Sequence, residues 1–226
     1  EQNPTEQIRR NFITRIRNNY TCMLFIRMLL PAILDICTGI SASFAMTLAP
    51  PSLLEVLTCS GIIFNPIWGF ICMRRIFTVG QYGCVLIALI GAVIASCSSF
   101  LSKSAPSENP IIGSLLMLVA QMCSSFQYVI EEKLMLKQHY DPTLALGIEG
   151  IIGSVLMIIL LIIFQLIPGK SVGSVENTLD SFVQLGNSKL LIGLFCTYTI
   201  SAFLFLSSGI QVTKRLTSLH RVLLSA

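Results

Sequence analysis

Apolar and polar positions fall along this chain in long blocks. Six nearly uncharged runs can be read directly, at about 28–49, 52–73, 79–101, 111–130, 143–167 and 190–210. Each approaches or exceeds the roughly 20 residues that a helix needs to cross about 30 Å of hydrocarbon. A seventh run starts near Thr217 and reaches Ala226. A soluble chain would have to bury six helices, apolar all round, in one small core. The pattern therefore predicts an all-α polytopic membrane protein with six complete transmembrane helices and the start of a seventh.

Composition agrees. The 226 residues are 54% hydrophobic and 12% charged, against about 25% charged in soluble domains. Mean hydropathy is +0.78. Residues 1–20 are polar and basic, with no apolar stretch of the kind a signal peptide carries. The chain does not begin with Met and stops inside an apolar run, so it is expected to be incomplete at both ends. Most of the eight cysteines lie inside apolar runs and none forms a C-x-x-C, which predicts reduced, buried thiols.

The polar blocks set the orientation. With the N-terminal segment cytosolic, the cytosolic side holds Arg9, Arg10, Arg15, Arg17, Arg27, Arg74, Arg75, Lys133, Lys137, Lys214, Arg215 and Arg221. The other side holds only Lys103, Lys170 and Lys189. Cytosolic loops carry the excess of Lys and Arg, so this split fixes the expected topology. The sequon at Asn19–Thr21 then lies on the cytosolic side and should be unused. Ile8, Phe12 and Ile16 form a stripe beside four arginines, a pattern for a helix lying on an anionic leaflet or for a plain basic loop. In the loop 168–189, Val175, Leu179, Phe182 and Val183 form a narrow apolar face suited to a short interfacial helix. PGKS at 168–171 imitates a phosphate loop, but Phe164 stands where its first Gly is needed.

The candidate chemistry lies inside the spans. A carboxylate at mid-bilayer costs about 2.5–3.5 kcal/mol on insertion scales and should face protein or water. Asp35 shares a helical face with Thr38, Gly39 and Ala42, and Glu149 shares one with Ala145 and Gly153. Gln121, Ser124, Ser125, Tyr128, Glu131 and Glu132 make a polar stripe down one helix. Thr197, Ser201 and Ser208 make a weaker one, and Glu55 stands near a membrane surface. Such stripes also serve as packing glue between helices. Stripes on four spans together predict a water-accessible cavity. Asn65-Pro66, with Gly61 before it, is expected to interrupt and kink the second span at Pro66. Gly147, Gly150 and Gly153 are expected to mark close helix packing. Glu149 lies about 9–10 Å along its helix from Thr143, in the cytosolic half of the membrane.

No H-E-x-x-H or G-x-S-x-G appears, and Tyr140-Asp141 has no second Asp motif to complete a protease pair. An enzyme is not expected. Nothing points to a metal, an organic cofactor or a nucleic acid.

Several segments resemble the drug/metabolite transporter superfamily, and within it the F-type branch of solute carrier 35, which is nucleotide-sugar-transporter-like and EamA-like. They are GSLLMLVAQMCSSFQYVIEEKLMLK (113–137), DPTLALGIEGIIG (141–153), DSFVQLG (180–186) and GIQVTKRLTSLHRVLL (209–224), with looser matches at 34–57 and 74–94. The resemblance implies ten helices in two inverted five-helix repeats around a central site with alternating access. Its template divides this chain into a basic segment (1–27), the end of the first repeat (28–101), an inter-repeat loop (102–110) and an incomplete second repeat (111–226). It implies a secondary transporter of a small polar metabolite, with a nucleotide sugar as one candidate, in an endomembrane such as Golgi, ER or a lysosome-like compartment. A homodimer is one arrangement open to it. Glu149, Asp35, Gln121, Tyr128, Gly150 and Ser125 are then candidates for substrate contact or coupling. Arg74, Arg75, Glu131, Glu132 and Lys133 are candidates for gating and topology. The seventh helical region reads LALGIEGIIGS, without the aromatic-Asn-Asn pattern of GDP-sugar carriers. The visible mid-spans also hold acids and amides where a diphosphate would favour bases, unless Arg221 supplies one. The rival reading is a scaffold that keeps the fold without transport. A continuous cavity touching Glu149 would favour the transporter.

Overall fold

The computed structural model describes residues 4–74, scattered positions within 80–94, and 109–138, 141–167 and 177–225. For 4–22, 137–138 and 225 it describes the backbone alone. The described residues contain helices and no strand. They form α1 (Pro4–Leu48), α2 (Pro51–Thr58), α3 (Gly61–Met73), α4 (Pro110–Gln138), α5 (Pro142–Leu166), α6 (Thr178–Asn187), α7 (Lys189–Arg215) and α8 (Ser218–Ser225). Five stretches are long and apolar enough to cross a bilayer: Met23–Leu48, Pro51–Met73, Pro110–Leu136, Pro142–Leu166 and Lys189–Arg215. The expected span at 79–101, the loop at 102–108, Arg75 and the PGKS segment lie outside the described residues, in whole or in large part.

Helix α1 runs unbroken through the basic segment and the first span. One boundary differs from expectation. The second span is interrupted at Cys59–Ser60, between α2 and α3, and not at Pro66, which stays inside α3. There the bonds tighten to i→i−3, from Cys59 N to Val56 O (3.2 Å), Ser60 N to Leu57 O (3.0 Å) and Ile62 N to Cys59 O (3.1 Å). The second half is seated on α4. Ser125 Oγ donates to Gly61 O at 3.2 Å, and Trp68 packs on Phe126 with ring centroids 4.6 Å apart.

Helix α4 is the hub, touched by α1, α2, α3, α7 and α8. Two apolar cores hold α1 along it. Leu24, Met28 and Ala32 pack with Met135 of α4, with Ala145, Ile148 and Ile152 of α5, and with Ile210 of α7. Ala45, Ala49 and Leu54 pack with Met117 and Ala120. The middle of α1 thus meets the end of α4 and the end of α1 meets the first half of α4, so the two helices are antiparallel. At the second core a Cβ on Gly113 would lie 2.6 Å from Ala49 Cβ. Gly113 lets α4 come close to the end of α1, and sequence reading passed it over. The expected triad behaves differently: a Cβ on Gly147, Gly150 or Gly153 meets nothing described within 4 Å.

Ends are set by local chemistry. Asp141 caps α5 by accepting from Thr143 N, with Pro142 in the first turn. Arg74 ends α3 in the left-handed region, φ 52°. The short helix foreseen in the loop is α6, capped by Asn177, with Leu179, Phe182 and Val183 exposed.

Candidate functional site

The polar residues of α4 converge with three other helices on one buried network. Gln127, 4% exposed, is its centre. Its Nε2 donates to Glu131 Oε1 at 3.1 Å and to Glu149 Oε1 at 3.0 Å. Two carboxylates therefore fix which way the amide points. Its Oε1 is buried with no partner among the described residues. Asp35 of α1 approaches the same amide, and its charge is close enough to act on Glu149.

Arg221 of α8 closes the network from the other side. Its guanidinium meets Glu131 Oε2 at 2.5 Å, both side chains being buried, and its Cζ sits 4.0 Å from the centre of the Tyr128 ring. Glu131 and Tyr128 are three residues apart on α4, so one helical face offers the cation both a carboxylate and a π-face. Gly209 of α7 makes the room, since a Cβ there would lie 2.9 Å from Arg221 Nε. Glu132 turns away from this pair. Its Oε2 accepts from Ser218 N at 2.9 Å and from Ser218 Oγ at 2.5 Å, placing a carboxylate at the N-terminus of α8. Ser218 Oγ also lies 3.2 Å from Asn65 Oδ1 of α3. Through these contacts α8 is tied to α3 and α4 by polar groups that are almost wholly buried.

Beside the network, α1 and α5 diverge around a cleft of about 870 Å³. Asp35, Gly39, Ser43 and Thr47, spaced by four, form one wall, and Gly153, Ser154, Met157 and Leu161 contribute to the other. Thr47 and Ser154 donate to carbonyls of their own helices, Phe44 O and Gly150 O. The walls are therefore mainly apolar, with Asp35 the charged group among the described lining residues. Glu149 does not line the cleft. It lies one turn below Gly153, against Gln127.

Of the sequence candidates, the structure gathers Asp35, Tyr128, Glu131 and Glu149, with Glu132 adjoining. Ser125 and Gln121 face Gly61 instead, where a Cβ would meet Gln121 Oε1 at 3.1 Å. Gly150 faces open space, Lys133 is half-buried, and Arg74 is exposed at its helix cap. Thr197 and Ser208 donate to Gly193 O and Phe205 O of their own helix, so their stripe lines no described cavity. Sequence reading missed Gln127, Ser218 and Gly209. Among the described residues Cys37, Cys59, Cys72, Cys123 and Cys196 are free thiols, with Cys37 and Cys196 exposed at the protein surface.

A family model, Solute carrier family 35, matches residues 12–220. The chain belongs to solute carrier family 35. It falls in the F-type branch of the drug/metabolite transporter superfamily. It is 33% identical over 218 residues to "Solute carrier family 35 member F6" of Rattus norvegicus, covering 92% of this chain and 57% of that protein. The Mus musculus protein of the same name is 34% identical over 204 residues, covering 86% and 54%. The Homo sapiens one is 30% identical over 205 residues, covering 87% and 55%. The chain thus spans a little over half the length of these relatives. This membership and the five long apolar helices make it a multi-pass membrane protein of a transporter family. The family points to a transporter over an enzyme.

Proposed function

We propose that this solute carrier 35 chain builds the substrate cleft and one gate of a secondary-active transporter that moves a small polar metabolite by alternating access. The observation that carries this is the buried network of Asp35, Gln127, Glu131, Glu149 and Arg221, set against an open cleft and joining four helices. A scaffold that kept only the fold would fill such space with side chains. Asp35, which lines the cleft, is the substrate group; the cleft does not reach Glu149, which is held against Gln127 and is the coupling group. The ties from Glu131 to Arg221 and from Glu132 to Ser218 hold the gate at the end of the bundle where α4 ends and α5 begins. The ten-helix, two-repeat architecture with its boundary at 102–110, the endomembrane location and the cytosolic N-terminal segment belong to the same reading. A nucleotide sugar fits the described residues less well, because Arg221 is already engaged by Glu131.

The test is uptake by the full-length protein in proteoliposomes, with a metabolite panel at several pH values. Glu149→Gln removes an ionisable group yet keeps the size and an acceptor for Gln127. Proton-coupled uptake should lose its pH dependence in that variant. An unchanged pH profile would remove Glu149 from coupling.

A further inference from the structure

The network is short of positive charge and of hydrogen-bond donors. Three carboxyls, on Asp35, Glu131 and Glu149, surround one guanidinium. That guanidinium is committed to Glu131, with its face on Tyr128. Gln127 spends both donor contacts on Glu131 and Glu149. Its Oε1 then stays buried without a donor among the described residues. Buried acceptors and buried negative charge both call for a partner. A proton on a buried carboxyl answers part of this, and a group with N–H donors and positive charge answers it at Asp35, where the cleft reaches the network.

The adjoining cleft specifies the rest of that group. Its walls are mainly apolar, and its charge is the single carboxylate of Asp35 at one end. That is the complement of an elongated apolar body with a cationic head. Phe44 and Phe164 line the cleft, but a quaternary ammonium has no N–H to donate to the Asp35 carboxylate. A primary or secondary ammonium, with N–H groups to donate, fits better.

We propose that this site takes an amphipathic primary or secondary amine, its ammonium at Asp35, where the cleft meets the buried network, and its apolar body along the α1–α5 cleft. The inference rests on the reading of this site as the substrate site, and it narrows the substrate class. The head competes with protons for the Asp35 carboxyl. The groups facing it are Asp35 from α1, Gln127, Tyr128 and Glu131 from α4, Glu149 from α5 and Arg221 from α8. On α7 the neighbouring position is the uncharged Gly209.

The experiment measures binding of phenethylamine to the full-length protein in phosphatidylcholine nanodiscs, with propylbenzene and 3-phenylpropionate as neutral and anionic controls. The expected result is saturable amine binding at pH 8, at least tenfold weaker at pH 5 and at least tenfold weaker in Asp35→Asn. Glu55→Gln, an exposed acid outside the site, should leave it unchanged. Gly39→Leu grows into the cleft, where a Cβ meets nothing described within 4 Å. It should abolish binding with the charges intact, and it serves as the second variant if Asp35→Asn does not fold. Equal binding of propylbenzene would overturn the proposal and leave a merely apolar cleft, such as a lipid tail would occupy. Preference for 3-phenylpropionate, or undiminished binding in Asp35→Asn or Gly39→Leu, would overturn it too. Amine binding without amine uptake in liposomes would uphold this inference and sink the transport reading. Uptake of an anionic solute with no amine binding would do the reverse.

Discussion

Arg221 and Glu131 show how much one pair can carry. Each is buried, and each answers the other's charge. Removing one partner of such a pair costs about 3–5 kcal/mol, because the survivor stays buried and uncompensated. Arg221→Met should therefore lower the unfolding temperature of the purified protein sharply. Adding Glu131→Gln to the same chain should recover most of the loss. If the single variant melts with the wild type, the pair does not hold α8. The acids of this network were legible in the sequence, since a carboxylate inside an apolar run stands out. Arg221 was legible only as a possible base, because its partner lies 90 residues away and helical periodicity sees only its own helix. Gln127 could have been found. It stands three residues after Ser124 and four before Glu131, on the face that the polar stripe already marked.

At the scale of elements, the place of the break in the second span is instructive. Pro66 removes one hydrogen bond, yet α3 continues through it, and the break falls where Gly61 is drawn against α4. A single lost bond is tolerated when neighbouring helices hold both sides. An isolated Gly113 packs closely against α1, and a lone glycine has no period to reveal it. The contrast can be measured. Gly113→Ala puts a methyl 2.6 Å from Ala49 Cβ and should cost about 1–3 kcal/mol. Gly147→Ala meets nothing described within 4 Å and should be neutral, or gain up to about 1 kcal/mol from helix propensity. Thermal unfolding of the two variants side by side separates them. Equal loss in both would mean that the α1–α4 approach is not the tight one.

For the whole molecule, the apolar runs made the class and most of the spans readable, because length and hydropathy decide insertion locally. The order in which helices touch was not readable, since α4 gathers partners from both sides of it in sequence. The proposed orientation has its own test. In cells Asn19 should carry no glycan, whereas a sequon placed within 170–175 should be modified, as a gel shift removed by glycosidase would show. Glycan on Asn19 would reverse the topology.

The notch at Gly209 has a consequence for how this chain can change over time. Position 209 cannot grow while Arg221 fills the space beside it, and Arg221 cannot shorten while Glu131 stays charged. The three positions thus form one heritable unit with a preferred order of substitution: Glu131 neutralised first, Arg221 shortened second, and only then a side chain at 209.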